Sequence, residues 1–251
     1  MRQIFVIFVI FNLICFDAFS LAQDSVLRPM VTEIAPEIDG KLDDSAWETA
    51  IQISGFKTYK PDFGQDLPVK TTVYITSDAQ NIYFAFRCFD SPNLVKTSIS
   101  PRDKIEQDDW IRISLDSYND NQSLSRFYVN PNGVQMDTRA SGFRDDPGID
   151  FVWYSAGQVD DEGYTVEMRI PFKSLRYTKK GEKVTMGMVF ERFISRLSVN
   201  GTFPEIDPRL GNNFQLQTIE VEYSGVGKNT LIEALPSITY GIGKQYEEDQ
   251  F

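Results

Sequence analysis

In Glu106-Gln-Asp-Asp-Trp-Ile-Arg-Ile-Ser-Leu-Asp116 the apolar Ile111, Ile113 and Leu115 alternate with Trp110, Arg112 and Ser114. A two-residue period is the pattern of a strand with one face on a core. The opposite face then carries an indole beside a guanidinium, with carboxylates at both ends. Soluble proteins seldom leave a tryptophan on a polar face without employing it. An aromatic ring surrounded by planar hydrogen-bonding groups suits the apolar face and hydroxyl rim of a sugar. The competing reading has a loop cover Trp110, because tryptophan is commonly buried.

Outward from this strand, further short strands follow. The polar loop Tyr118-Asn-Asp-Asn-Gln122 joins it to a partner over Ser125 to Asn130, and Pro131-Asn-Gly133 turns the chain into Val134 to Thr138. Upstream, Val69 to Thr76 and Ile82 to Phe89 alternate around Asp78-Ala-Gln-Asn81, the pattern of a hairpin. Before them, Ile38-Asp-Gly-Lys-Leu-Asp-Asp-Ser-Ala-Trp47 predicts a turn at Asp39-Gly40, a cap from Asp43 or Asp44, and a short helix that drops Trp47 inward. Downstream, strands are expected over Val152 to Val159, Tyr164 to Ile170, Val184 to Ile194 and Phe214 to Val221, with a turn or short helix at Pro171 to Leu175. Many short strands, acidic or glycine turns and few helices give an all-β antiparallel β-sandwich of immunoglobulin-like architecture. No fixed-period repeat interrupts the pattern.

The two ends read differently. Arg2, the apolar run Ile4 to Cys15 and Ser20-Leu-Ala22 form a secretory signal peptide over residues 1–22, too short for a comfortable membrane span. The bulky Ile14 before Cys15 speaks against lipidation. Residues 23–224 hold the sandwich, and residues 225–251 a linker followed by a weakly alternating run, Leu231 to Gly243. The expected setting is export to the periplasm, outer membrane or cell surface of a Gram-negative bacterium.

Composition narrows the chemistry. About 230 residues after the leader suffice for one substantial core. Cys88 alone remains there, so no internal disulfide forms and packing must supply the stability. The net charge of −11 excludes nucleic acid as a natural partner and favours neutral over acidic glycans. Histidine is absent. Ser-His-Asp and Cys-His catalysis, ordinary zinc sites and His-ligated haem are thereby removed. A haem-carrying redox sandwich would need Met or Lys ligands, such as Met136 or Met168, and no haem is expected.

Several of these segments resemble a known family. Ile38 to Trp47, the 69–90 hairpin, Asp108 to Asp116 and Gly163-Tyr-Thr-Val-Glu-Met-Arg-Ile-Pro-Phe172 are similar to the family 9 carbohydrate-binding modules, β-sandwiches often attached to xylanases and related glycoside hydrolases. Phe127 to Gln135 and Ile170 to Arg176 further resemble the N-terminal domain of bacterial outer-membrane proteins in which such a module precedes a β-barrel. Leu231 to Tyr240 is similar to the start of that barrel. The resemblance spans about residues 31–240 and rests on the order of loose motifs. It implies a sugar sandwiched between two tryptophans, polar side chains on its hydroxyls, and calcium at acidic turns. Ile105 stands where one stacking ring would be, so the family's aromatic pair does not carry over.

Trp110 and Trp153 are the candidate aromatic faces. Trp153 and Tyr154, as strand neighbours, must point oppositely, and Trp153 is expected to be the exposed one. Arg112 and Arg126 are candidates for bidentate donation to vicinal hydroxyls; the alternative pairs them with Asp109, Asp116 or Glu167. Asp145, Asp146 and Asp150, flanking a glycine in a loop, offer oxygen ligands for calcium, or form a solvated acidic loop. Asp108 and Asp109 point apart and make no glycosidase pair, and catalysis is assigned to no residue of this chain. The functional expectation is a secreted, non-catalytic module that binds neutral polysaccharide or oligosaccharide and serves glycoside hydrolases. The alternative is a structural cap on a neighbouring outer-membrane barrel.

Overall fold

A computed structural model describes residues 26–141, 144–210 and 214–227. The expected leader, the alternating run from Leu231 and the charged tail lie outside these residues.

Thirteen strands among the described residues form two antiparallel sheets. The smaller sheet contains β1 (Ile51–Ile53), β3 (Thr71–Ser77), β4 (Asn81–Phe89), β9 (Tyr154–Asp160) and β10 (Gly163–Pro171), in the order β1-β3-β4-β10-β9. The larger sheet contains β2 (Lys57–Lys60), β5 (Trp110–Asp116), β6 (Ser123–Val129), β7 (Gln135–Ser141), β8 (Arg144–Asp146), β11 (Lys183–Ile194), β12 (Val199–Phe203) and β13 (Ile219–Ser224). Its path is β2-β12-β11-β5-β6-β7-β8. The twelve-residue β11 is long enough to pair β13 over its first half and β12 over its second, while its other edge takes β5. The expected β-sandwich is the observed one.

Between the sheets lies one apolar layer. Phe84 and Phe86 of β4, Ile111, Ile113 and Leu115 of β5, and Met186, Met188 and Phe190 of β11 are all inaccessible to solvent and belong to a single cluster. Each such side chain stabilises the fold by about 1.5–3 kcal/mol, so a domain without disulfides is held by packing; Cys88 is a buried free thiol within this layer. The hairpin expected around Asp78 is present, with Asp78 Oδ1 accepting from the backbone N–H of Gln80 and Asn81.

The short helix α1 (Ser45–Glu48) lies where the Ile38–Trp47 pattern placed it, and Trp47 is buried on the far side of the smaller sheet against Tyr83 and Ala85. Asp44 occupies the N-cap but does not cap with its side chain; the carboxylate accepts from the Glu37 N–H instead. Trp47 Nε1 donates to Glu167, a fully buried carboxylate of β10 that also accepts from the N–H groups of Asp39 and Gly40. Three short strands of the larger sheet, β2 and β8 at its edges and β12 next to β2, carry no alternation long enough to read from the chain. They extend that sheet beyond the expected strands.

A candidate saccharide pocket on the outer face of the larger sheet

Strand alternation fixes which side chains leave the core. With Ile111 and Ile113 inside, Trp110 and Arg112 must project from the opposite face of β5. The register places Phe193 beside Trp110 and Glu191 beside Arg112 on β11, and Tyr128 beside Arg112 on β6. The outer face therefore gathers five groups that are scattered in the sequence. A segment after β12 returns over this face and lays Phe214 edge-on to Tyr59 of β2, with ring centroids 5.0 Å apart. Between that wall and the β5 side chains lies a depression of about 490 Å³, of the size that takes a small ligand.

Trp110 is half-buried and stacked on Phe193, centroids 5.2 Å apart and planes 27° apart. Tyr128 meets the indole edge-on at 5.3 Å. Phe193, Trp110 and Tyr128 thus make an aromatic row across three adjacent strands. The loop that was the competing expectation for Trp110 does not bury it, but Phe193 occupies one of its faces.

Arg112 forms the floor. Its guanidinium is 8% exposed, ion-paired to Glu191, and donates to the Tyr128 hydroxyl at 2.9 Å. Trp110, Tyr128 and Phe214 surround it with ring faces 5.2–5.8 Å away. Burial alone would lower the affinity of this guanidinium for its proton; the Glu191 carboxylate and the Tyr128 oxygen outweigh it and hold the group above its ordinary value. Glu191 Oε1 accepts from Asn200 Nδ2 at 2.5 Å, so both of its oxygens are engaged. Arg126 lines the same depression and pairs with Asp145 at 2.5 Å.

Neither arginine takes the partner that cross-strand reading suggested. Asp109 accepts from the Ser195 N–H, Asp116 from that of Asn121, and Glu167 holds the Asp39–Gly40 turn. Asp108 is likewise structural, receiving Ser98 and Asn130.

Trp153 is a correction. It is 4% exposed, packs edge-on to Phe127 in the core, and donates to Asp137, while Tyr154 is 46% exposed. The pair does point in opposite directions, but the larger and more apolar ring is the one the core takes. Trp153 sits in the segment before β9 rather than within a strand, and it packs on the core side of β6, away from the lining of the depression.

The three candidate calcium ligands do not converge. Asp145 faces Arg126, Asp146 accepts from the Gly148 N–H, and Asp150 lies 3.8 Å from Arg102. Among the described residues no group of three or more acidic, histidine or cysteine side chains is close enough to hold a metal ion. These carboxylates therefore do not fit a calcium ion.

The aromatic row and the Arg112–Glu191 floor were only half legible. Trp110 and Arg112 follow from alternation alone, and Arg126 from its residue type. Glu191 and Phe193 carry the same signal, since they alternate with the core-facing Phe190 within the expected 184–194 strand. Tyr59 and Asn200 lie on segments with no periodic signal; Phe214, expected to open a strand, lies in a short turn ahead of β13, which begins at Ile219.

Residues 38–194 match the family model described as carbohydrate family 9 binding domain-like. Among solved structures, a family 9 carbohydrate-binding module from Caldicellulosiruptor kristjanssonii in complex with cellotriose is 20% identical, with a TM-score of 0.55 over 83% of this chain and 100% of that one. A module of the same description and organism in complex with glucose is 19% identical, TM-score 0.56, over 82% and 100%. A Bacteroides uniformis protein aligns with a TM-score of 0.61 at 11% identity, over 79% and 97%. No curated protein matches significantly. These similarities agree with the two-sheet architecture described above.

Proposed function

The chain belongs to the carbohydrate family 9 binding domain-like family, and from that premise we propose that it is a non-catalytic module that holds a saccharide in the pocket over β5 and β11. One observation carries the reading: the partly exposed rings of Phe193 and Trp110, closed at one end by the buried Tyr128, stand beside a buried, fully oriented Arg112–Glu191 pair. A sugar ring places C–H groups on aromatic carbon and hydroxyls on planar polar groups. Arg112 is held by Glu191 and Tyr128, so little side-chain entropy is lost when a ligand arrives. The complexes of the related modules with glucose and cellotriose support the same ligand class.

Binding is expected to be micromolar to millimolar, since few ligand atoms are enclosed. Its use is concentration: an exported module holds a glycoside hydrolase or a membrane-anchored neighbour near its polysaccharide. The signal-like residues 1–22 support export. Titration calorimetry with cello- and xylo-oligosaccharides tests the reading, with Trp110→Ala as control. Saturable heat in the parent and none in the variant is the expected result.

A second reading, a cap on an outer-membrane barrel without sugar affinity, draws support from Ile105. This residue stands where the resemblance expects a stacking ring and is fully buried. Absence of binding across a broad glycan array would favour it.

A further inference from the structure

We infer that the pocket selects saccharides bearing a carboxylate over neutral ones, an inference that rests on the saccharide-binding reading above. The net charge of −11 suggests the reverse for the whole molecule. Yet exposed charges more than about 8–10 Å from a ligand are screened at physiological ionic strength. The charges that matter are those lining the cavity.

Those are four cations, Lys60, Arg112, Arg126 and Arg144, against three carboxylates, Glu106, Asp145 and Glu191. The lining is thus positive by one unit within an acidic protein. How the seven are used sharpens the point. Glu191 has both oxygens engaged, one by Arg112 and one by Asn200. Asp145 faces Arg126 and lies 3.4 Å from the Thr138 hydroxyl. Only Glu106 keeps a carboxylate without an ion-pair partner among the described residues.

Donors, in contrast, are left over. Lys60 and Arg144 are exposed, and neither has a carboxylate partner among the described residues. The Nε–H groups of Arg112 and Arg126 are enclosed and donate to nothing. They cannot reach a ligand, but they leave positive potential in the floor. The Tyr128 oxygen accepts from Arg112, so its own proton is not used in that contact. A cavity with spare donors and few spare acceptors is complementary to a group that only accepts. Hydroxyls both donate and accept; an ionised carboxylate accepts through two oxygens and adds charge. Uronic-acid saccharides present this chemistry on a ring whose other face can still lie on the aromatic row.

The test is calorimetry of the whole protein with two matched pairs: oligogalacturonate against its methyl ester, and glucuronic-acid-substituted against unsubstituted xylo-oligosaccharide of equal length. On whichever backbone binds, the acid form is expected to be roughly 5-fold tighter or more at low salt, the scale of a partly exposed charge contact. The ratio should fall towards one in about 0.5 M NaCl, where the screening length is about 4 Å, and in a Lys60→Gln/Arg144→Gln double variant, whose changes are at exposed positions. Equal or weaker binding of the acid form overturns the selectivity and leaves the saccharide reading standing. No binding of any of the four overturns the selectivity, and no binding of cello-oligosaccharides either overturns the saccharide reading with it.

Discussion

Trp110 and Phe193 stack at 5.2 Å on neighbouring strands of the larger sheet, with Arg112 two residues further along β5 on the same face. The stack exists because β11 runs antiparallel to β5 in a register that faces the two rings. It gives the site its apolar surface, and it explains why a half-exposed indole is tolerated: one face is already covered by protein.

Trp110→Ala should therefore separate affinity from stability. The ring is only half-buried, so thermal unfolding is expected to shift by no more than about 2 kcal/mol equivalent. Saccharide affinity should fall at least about 10-fold, since a stacking face worth about 1.4 kcal/mol or more is removed. Trp153→Ala is the mirror experiment. It opens a core cavity beside Phe127 and should cost about 3–5 kcal/mol in denaturant unfolding, while the folded fraction keeps its affinity. A loss of affinity without a loss of stability in that variant would place the binding face elsewhere.

The Arg112–Glu191 pair is expected to behave as a buried ion pair. Glu191→Ala leaves an uncompensated guanidinium and should destabilise by about 3–5 kcal/mol. Replacing both, with Arg112→Met and Glu191→Leu, should recover most of that stability, because the desolvation of two charges is no longer required. Recovery of stability without recovery of binding, read by urea titration and calorimetry on the same preparation, would assign the pair to recognition rather than folding.

Glu167 predicts a pH dependence. Burial pushes its carboxyl up to about 7, against the pull of the Gly40, Trp47 and Asp39 N–H donors. The folded state therefore binds this proton more tightly than the unfolded chain, whose value is near 4.5. The contribution is complete below pH 4.5 and is lost as pH rises through about 7. Burial also raises Asp109 and Asp116, which slope the same way. Unfolding free energy should thus fall by about 2 kcal/mol between pH 5 and 8 from Glu167, and Glu167→Gln should flatten that part of the slope. An unchanged slope in the variant would show that the three N–H donors hold Glu167 ionised throughout.

The removal of calcium is expected to change nothing at the Asp145–Asp150 loop. Those carboxylates are directed to Arg126, the Gly148 N–H and the neighbourhood of Arg102. Melting curves with EDTA and with added calcium should superimpose; a clear rise with calcium would require these side chains to reorganise around an ion.

Legibility followed alternation. Long strands such as β4, β5, β10 and β11 announce their faces because every second residue enters the same core. The short strands β1, β2, β8 and β12 are three to five residues long and partly solvated, so no period develops. Trp153 was misplaced for a related reason: it precedes β9, where strand alternation no longer governs side-chain direction.

By itself the sequence determined the two-layer β architecture, the outward face of Trp110 and Arg112, and the exclusion of histidine chemistry, because these depend on local period and on composition. Only the tertiary structure brought Phe193 against Trp110, Glu191 against Arg112 and Tyr59 against Phe214, turned Trp153 inward, and left Lys60 and Arg144 at the mouth of one cavity. Those juxtapositions follow from strand order and register, which bring together residues far apart along the chain. Periodicity says which way a side chain points; only the pairing of strands says what it meets.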